Sequence, residues 1–275
     1  MVKSIYLKHG KIVNQIVRNI FTVKNLWGSI IPLNVLGFFS IYYFISRDVD
    51  LIWLLATLVG YVLIKMVGVG AGYHRLISHK AFETSRPVKR FILFLGILSG
   101  QGSPILWAGV HRPGHHRFSD TEKDPHSPHH GFWHSYILWM FKLTEKDVNI
   151  RRISDLLKDP DIVFSHKYCT EIFWLVNMIL LFVNIHLWLF LLILPAFLTF
   201  HAFCIQTSLV HYKFMGYQNY STKDDSVNSI WLFPLSQGEA WHNNHHGDPR
   251  NPNFGGRHWW EIDPTYWLIK LLRKQ

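Results

Sequence analysis

The chain has 275 residues, of which 49% are hydrophobic, 16% aromatic and only 17% charged, against roughly 25% charged in soluble domains. That balance excludes an ordinary soluble fold and predicts an integral membrane protein. The net charge of +10 comes from basic residues in the termini and the loops between apolar runs, with no nucleic-acid-binding motif. It therefore fits a cationic face against anionic lipid head groups and predicts no nucleic-acid partner.

In chain order, Met1 to Lys24 is basic and amphipathic and lacks both an apolar core and a small-residue cleavage site, so no cleavable signal is expected. Ile30 to Ile45 and Leu51 to Tyr73 are apolar runs of about 16 and 23 residues, near the roughly 20 that cross a bilayer. Only Ser46 to Asp50 separates them, which predicts a hairpin. Phe91 to Val110 is apolar too, but Gly96, Gly100, Gln101, Gly102, Ser103 and Pro104 would break a spanning helix. It reads as a segment that dips into, or lies along, the cytoplasmic leaflet. Phe132 to Phe141, with Trp133, Tyr136 and Trp139, reads as an interfacial aromatic helix. Ile172 to Val210 contains no Asp, Glu, Lys or Arg. As one helix it would be about 58 Å long, twice the roughly 30 Å hydrocarbon core, so it must turn back, with Asn184-Ile-His186 as the expected turn.

The fold class that follows is an all-α integral membrane protein with four transmembrane helices in two hairpins. The spans fall at about 30–46, 51–73, 172–184 and 187–210 of a single domain, 1–275, with a histidine-rich cap from 74–171 and 211–275. Lys3, Lys8, Lys11, Arg18, Lys24, Lys270, Arg273 and Lys274 lie on the side of the termini, whereas the tight turns carry only Arg47, so termini and cap are expected in the cytoplasm. Lys65, near a cytoplasmic span end, is expected to snorkel.

Three histidine clusters follow apolar segments: His74 with His79, His111 with His115 and His116, and His242 with His245 and His246. Adding His211 makes nine imidazoles, more than the four that close a tetrahedral zinc site, so two metals with open positions are expected. Cys169 and Cys204 sit in no Cys-x-x-Cys pattern, and imidazole alone leaves iron, copper, nickel and zinc open. On an α-helix, residues four apart lie about 40° apart, so His111 with His115 and His242 with His246 should each face one centre, the adjacent histidine pointing elsewhere. His74 and His79 are about 140° apart, so their helix should end or loosen there. His9, His126, His129, His130, His134, His166, His186, His201 and His258 lack such spacing and are not expected to be ligands.

The sequence resembles the membrane fatty acid desaturases, most closely their Δ9 acyl-CoA and acyl-lipid (stearoyl-CoA desaturase-like) branch. Gly72-Tyr-His-Arg-Leu-Ile-Ser-His79, the stretch from His115 to His126, Gly238-Glu-Ala-Trp-His-Asn-Asn-His-His246 and Arg257 to Asp263 carry the resemblance. It implies a diiron centre that uses O2 to desaturate a saturated acyl chain, at Δ9. The implied ligands are His74, His79, His111, His115, His116, His211, His242, His245 and His246, with Fe, two per chain, as cofactor. Acyl-CoA or acyl-lipid would be the substrate, and a ferredoxin or cytochrome b5 with its reductase the electron donor. The setting would be the bilayer of a bacterial inner membrane or the endoplasmic reticulum.

Such chemistry on unactivated methylenes needs a dry site, and Asp120, Asp124 and Glu239 are candidates to orient ligand N–H groups. The resemblance also implies an acyl channel bent by Gln101 and Trp107, six apart, and closed by Met66 and Val62. Three departures stand out. The second box has three residues between His111 and His115, where this branch usually has two. Thr207 stands where an Asn often holds a metal-bound water, and Phe203 stands at a channel position that is commonly Thr. The wider spacing also occurs in alkane hydroxylases, so a diiron hydroxylase of alkanes or lipids is the main rival. A metal transporter is disfavoured, because Lys65 is the sole charged side chain within the spans.

Overall fold

A computed structural model describes residues 28–47, 49–143, 148 and 150–274. The amphipathic segment Met1 to Lys24 and its basic residues lie outside the described residues. The described chain is helical, with isolated bridges and no strands.

The first helix, α1 (Ile30–Ser46), is apolar and shorter than a full span. After a short turn, α2 (Leu51–Ser78) runs for 28 residues. Its first half is an ordinary α-helix, and from Val62 it opens into the wider i→i+5 turn, a form found mostly at functional sites. The helix continues beyond the expected end at Tyr73, so the first histidine pair sits on its last turns.

The apolar stretch from Phe91 is split into two helices, α3 (Arg86–Leu98) and α4 (Pro104–Val110). Gly100 and Gly102 take positive φ angles of 69° and 85° in the break, which L side chains rarely adopt. Ser103 then caps α4 by accepting from the Leu106 N–H, with Pro104 in the first turn. Beyond α4 the chain continues through a wide turn, His111–His115, and one ordinary turn, His116–Phe118.

Helices α5 (Pro160–Lys167) and α6 (Cys169–Val183) meet at a 65° bend. Asp159 caps α5 through the Asp161 and Ile162 N–H groups. The chain reverses at Asn184, where it was expected to turn; the extended Asn184 backbone breaks the helix and its side chain accepts from the N–H groups of His186 and Leu187. From there α7 (Ile185–Leu209) runs back for 25 residues. The short α8 (His242–Gly247) carries the third histidine cluster, and α9 (Pro264–Leu272) packs on the wide-turned half of α2.

By length and composition α2 and α7 are able to cross a membrane, and the bent pair α5–α6 makes a third candidate. Phe38, Tyr42 and Ile45 on α1, Leu51 and Leu58 on α2 and Phe182 on α6 are exposed, an apolar surface suited to lipid rather than water. Two expectations need correction. Lys65 is buried and donates to the Ser236 carbonyl at 3.0 Å instead of snorkelling, because the loop before α8 folds over this part of α2. In the interfacial aromatic segment Trp133 and Phe141 are exposed, whereas Trp139 is buried against the core.

Close approach of α2 and α3 sets the site's depth. A Cβ on Gly68 would lie 2.6 Å from the Leu95 carbonyl carbon, where no side chain can yield. Gly68→Ala is therefore expected to cost about 1–3 kcal/mol by overpacking. Thermal unfolding of the purified variant checks this, and an unchanged Tm would show that the two helices can separate freely.

Candidate metal centre

The three clusters and His211 converge at the C-terminal ends of α2, α4 and α7, where α8 closes over them. Their ring nitrogens form two groups, within each of which the atoms lie within 4.8 Å of one another: His74, His79, His111, His116 and His245, and His115, His211, His242 and His246. In the first group the Nε2 atoms of His74 and His245 are 2.9 Å apart, those of His79 and His111 2.9 Å, those of His111 and His116 3.0 Å, and those of His116 and His245 2.8 Å. In the second, His115 and His246 are 3.2 Å apart, as are His211 and His242.

Local backbone form decides which histidine goes where. In the wide turn of α2 the His79 N–H bonds to the His74 carbonyl at 3.1 Å, five residues back. A turn of that width brings residues five apart onto one side, so the helix loosens as expected. In the second cluster the same geometry overturns the α-helical reading. The His116 N–H bonds to the His111 carbonyl, so His111 pairs with His116 and His115 is swung to the other group. Pro113, which has no N–H to give to an i−4 carbonyl, lies inside this turn. In the third cluster α8 is an ordinary α-helix, and His242 with His246 share one group while His245 faces the other.

Four rings turn their Nδ1 atoms to carboxylates: His74 to Glu239, His115 to Asp124 at 2.9 Å, His211 to Asp120 at 3.0 Å and His246 to Asp224 at 2.7 Å. A neutral imidazole that donates its Nδ1 proton to a carboxylate presents a bare lone pair at Nε2. His115 and His246 thus aim two lone pairs at each other, a contact that is a hydrogen bond for neither ring and is resolved by a cation between them. Imidazole nitrogens bound about 2.0–2.1 Å from a metal lie about 2.9 Å apart at right angles and about 3.4 Å apart in a tetrahedron. The first group's spacing is the right-angle one, and its five donors exceed a tetrahedral zinc set. The residues of the first group therefore fit a metal ion of higher coordination number, and the four donors of the second group, in two pairs 3.2 Å apart, fit a second metal ion.

Burial, followed by the crowding of neighbouring imidazoles, holds His79, His111, His115, His116, His242 and His245 well below the usual histidine range. Neutral rings are the form that binds a metal. Burial raises the Glu239 carboxyl, but the Arg75 guanidinium and His74 outweigh it and bring it down to about 2. Asp224 escaped the sequence reading. It sits in a loop with no helical spacing to any histidine, so no local signal points to it. Asp120 takes a positive φ of 61°, a strained form for a non-glycine residue that is fixed as its carboxylate accepts from both His211 and the Asp225 N–H.

Thr207 spends its hydroxyl on the Phe203 and Cys204 carbonyls of its own helix. Gln101 accepts from the Trp107 indole N–H at 3.2 Å, and both line a narrow apolar cleft together with Val110, His111, Trp139 and Phe203. His126 also borders this cleft and stacks on His115 at 4.2 Å between ring centroids. A second, smaller cavity is lined by Lys65, Val69, His74, Thr199 and Glu239. Trp107 and Phe203 border both and form the wall between them. Met66 and Val62 line neither of these cavities; Lys65 and Val69, on other sides of α2, do so instead.

Fold and site together define an all-helical membrane protein built around two groups of converging imidazoles. Its sequence matches the family profile described as Fatty acid desaturase over residues 51–274. It is 34% identical to the sn-1 stearoyl-lipid 9-desaturase of Anabaena variabilis over 75% of each chain. It is 32% identical to Delta-9 acyl-lipid desaturase 1 of Arabidopsis thaliana, over 75% of this chain and 68% of the relative. It is also 33% identical to Acyl-CoA 5-desaturase AL21 of Anemone leveillei, over 80% of this chain and 68% of the relative. The chain belongs to the fatty acid desaturase family, and is an oxidoreductase.

Beneath the imidazoles lies a buried ion cluster. Arg75, fully buried, donates to Glu239 at 2.7 Å, to Asp263 at 2.6 Å and to the Pro252 carbonyl at 2.8 Å. Arg75→Ala leaves two carboxylates buried without their counter-charge, and is expected to cost about 3–5 kcal/mol. Chemical denaturation measures it; a loss under about 1 kcal/mol would mean that water or another cation replaces the guanidinium.

Proposed function

We propose that this protein desaturates a saturated fatty acyl chain at Δ9, using two iron ions held by the nine histidines, with O2 as co-substrate. The observation that carries the reading is the pair of imidazole groups whose bare Nε2 atoms face one another beside an apolar cleft. Bound iron with O2 supplies the oxidising power that unactivated methylenes require.

The chain's own residues do the rest. Gln101 fixes the Trp107 ring, and together they shape the cleft so that the acyl chain bends where it passes His111. Trp139 and Phe203 keep that stretch dry, so that a single C–H pair is held against the site. The carboxylates of Glu239, Asp124, Asp120 and Asp224 hold their histidines in one tautomer and orientation. A hydroxylase would share this scaffold, but the relatives' names favour desaturation.

We infer further that α1, α2, the bent pair α5–α6 and α7 are four spans in two hairpins, with both termini and the histidine-bearing cap in the cytoplasm. The chain then forms a single domain. The acyl chain is carried on a glycerolipid or on CoA, and a ferredoxin or cytochrome b5 with its reductase delivers the electrons.

The test is expression in a desaturase-deficient cell, followed by fatty acid analysis with double-bond mapping and separate feeding of acyl-CoA and acyl-lipid in membranes. A Δ9 alkene is expected, and an alcohol would make the protein a hydroxylase. In the same assay His79→Ala, His115→Ala and His245→Ala are expected to fall to background. His129→Ala and His258→Ala, both exposed, should retain full product. Equal losses in both sets would refute the ligand assignment.

A further inference from the structure

Four of the nine imidazoles are oriented by a carboxylate on Nδ1, and two of the other five stand out. Among the described residues no hydrogen-bond partner reaches Nδ1 of His242 or of His245, although both rings are buried. Yet His245 bridges the first group, its Nε2 lying 2.9 Å from that of His74 and 2.8 Å from that of His116. An unbonded ring turns about its side-chain torsions unless something else holds it.

Besides the neighbouring imidazoles of His74, His79 and His116, at 4.4–4.6 Å between centroids, what touches it is Phe254, whose ring lies 4.3 Å from the His245 ring, centroid to centroid, with 34° between their planes. Phe254 is 1% exposed and is held more tightly than packing alone requires. Its N–H donates to Asp263 at 2.9 Å, its carbonyl accepts from the Asn244 side chain at 2.8 Å, and the Arg75 guanidinium lies 3.8 Å from its ring centroid. The same Asp263 oxygen that holds the Phe254 backbone also accepts from Arg75. The edge of the His74 ring meets Phe254 as well, at 5.4 Å. The ion cluster thus reaches the first imidazole group by two routes. One runs through Glu239 to His74, by a hydrogen bond. The other runs through Phe254 to His245, by an aromatic face that prefers a fixed relative geometry.

We propose that Phe254 is a positioning residue for His245, its clamped aromatic face doing for that ring what a carboxylate does for His74, His115, His211 and His246. The proposal rests on the assignment of His245 as a metal ligand. It predicts that an aliphatic side chain of similar volume is insufficient, because only a ring presents a flat face.

The test is titration of the metal-free, detergent-purified full chain with Fe(II), followed calorimetrically, alongside the Tm of the same metal-free protein. Phe254→Leu is expected to weaken one of the two Fe(II) sites by about ten- to a hundredfold, the usual cost of losing an outer partner of a ligand. The other site and the metal-free Tm should stay close to those of the parent, and Phe254→Tyr, which keeps the ring, should bind both ions. His245→Ala should lose the same site outright; if it does not, the ligand assignment itself falls. Normal binding at both sites in Phe254→Leu would overturn the positioning role. So would parallel weakening of both sites with a lowered Tm, which would make Phe254 a packing residue, or a Phe254→Tyr defect equal to that of Phe254→Leu.

Discussion

Lone pairs that cannot face one another without a cation govern this structure. Buried imidazoles whose Nδ1 protons are committed to carboxylates leave their Nε2 atoms electron-rich and mutually repelling, and His115 and His246 hold theirs 3.2 Å apart. Folding brings these groups together from segments as distant as α2 and α8, so the scaffold must supply the restraint that a metal later relieves. At the first group the Arg75–Glu239–Asp263 cluster is part of that restraint, acting through Glu239 on His74. It is fully buried and ties the end of α2 to the third histidine cluster and to the start of α9. Breaking such a cluster is costly because the remaining charges have no water to turn to.

Much of this was legible in the sequence, because metal binding needs particular side chains at particular intervals and membrane crossing needs long apolar runs. All nine histidines of the three clusters and His211 lie in the two groups, and the reversal at Asn184 falls in the only gap that the long apolar run offers. Glu239, Asp120 and Asp124 likewise meet rings of these two groups. How the histidines divide between the groups was not legible. The α-helical period of 3.6 pairs His111 with His115, whereas the wide turn pairs His111 with His116; a backbone form of this kind has no reliable residue signature beyond Pro113. Asp224 was invisible for a different reason, since a loop residue reaches His246 only through tertiary folding. Lys65 was misjudged because burial by a distant loop cannot be seen from hydropathy.

The apolar side of the site shows what the departures from the family pattern mean here. Phe203 stands with Trp107 at 5.5 Å between ring centroids, between the cleft and the cavity lined by Lys65 and Thr199. The side of α2 that faces this second cavity is set by the wide turn, which is why Val69 borders it and Met66 does not. Gln101 and Trp107 are bonded to each other despite the broken backbone between them. Gly102, with its positive φ of 85°, lies in that break.

The claim on which the rest depends is that the two imidazole groups hold two metal ions. Metal analysis combined with iron K-edge X-ray absorption, on active protein purified from iron-supplied cells, tests it most directly. The account predicts about two iron ions per chain, in first shells of nitrogen and oxygen donors with coordination numbers above four and no sulfur. A single tetrahedral zinc ion per chain in a fully active preparation would contradict it.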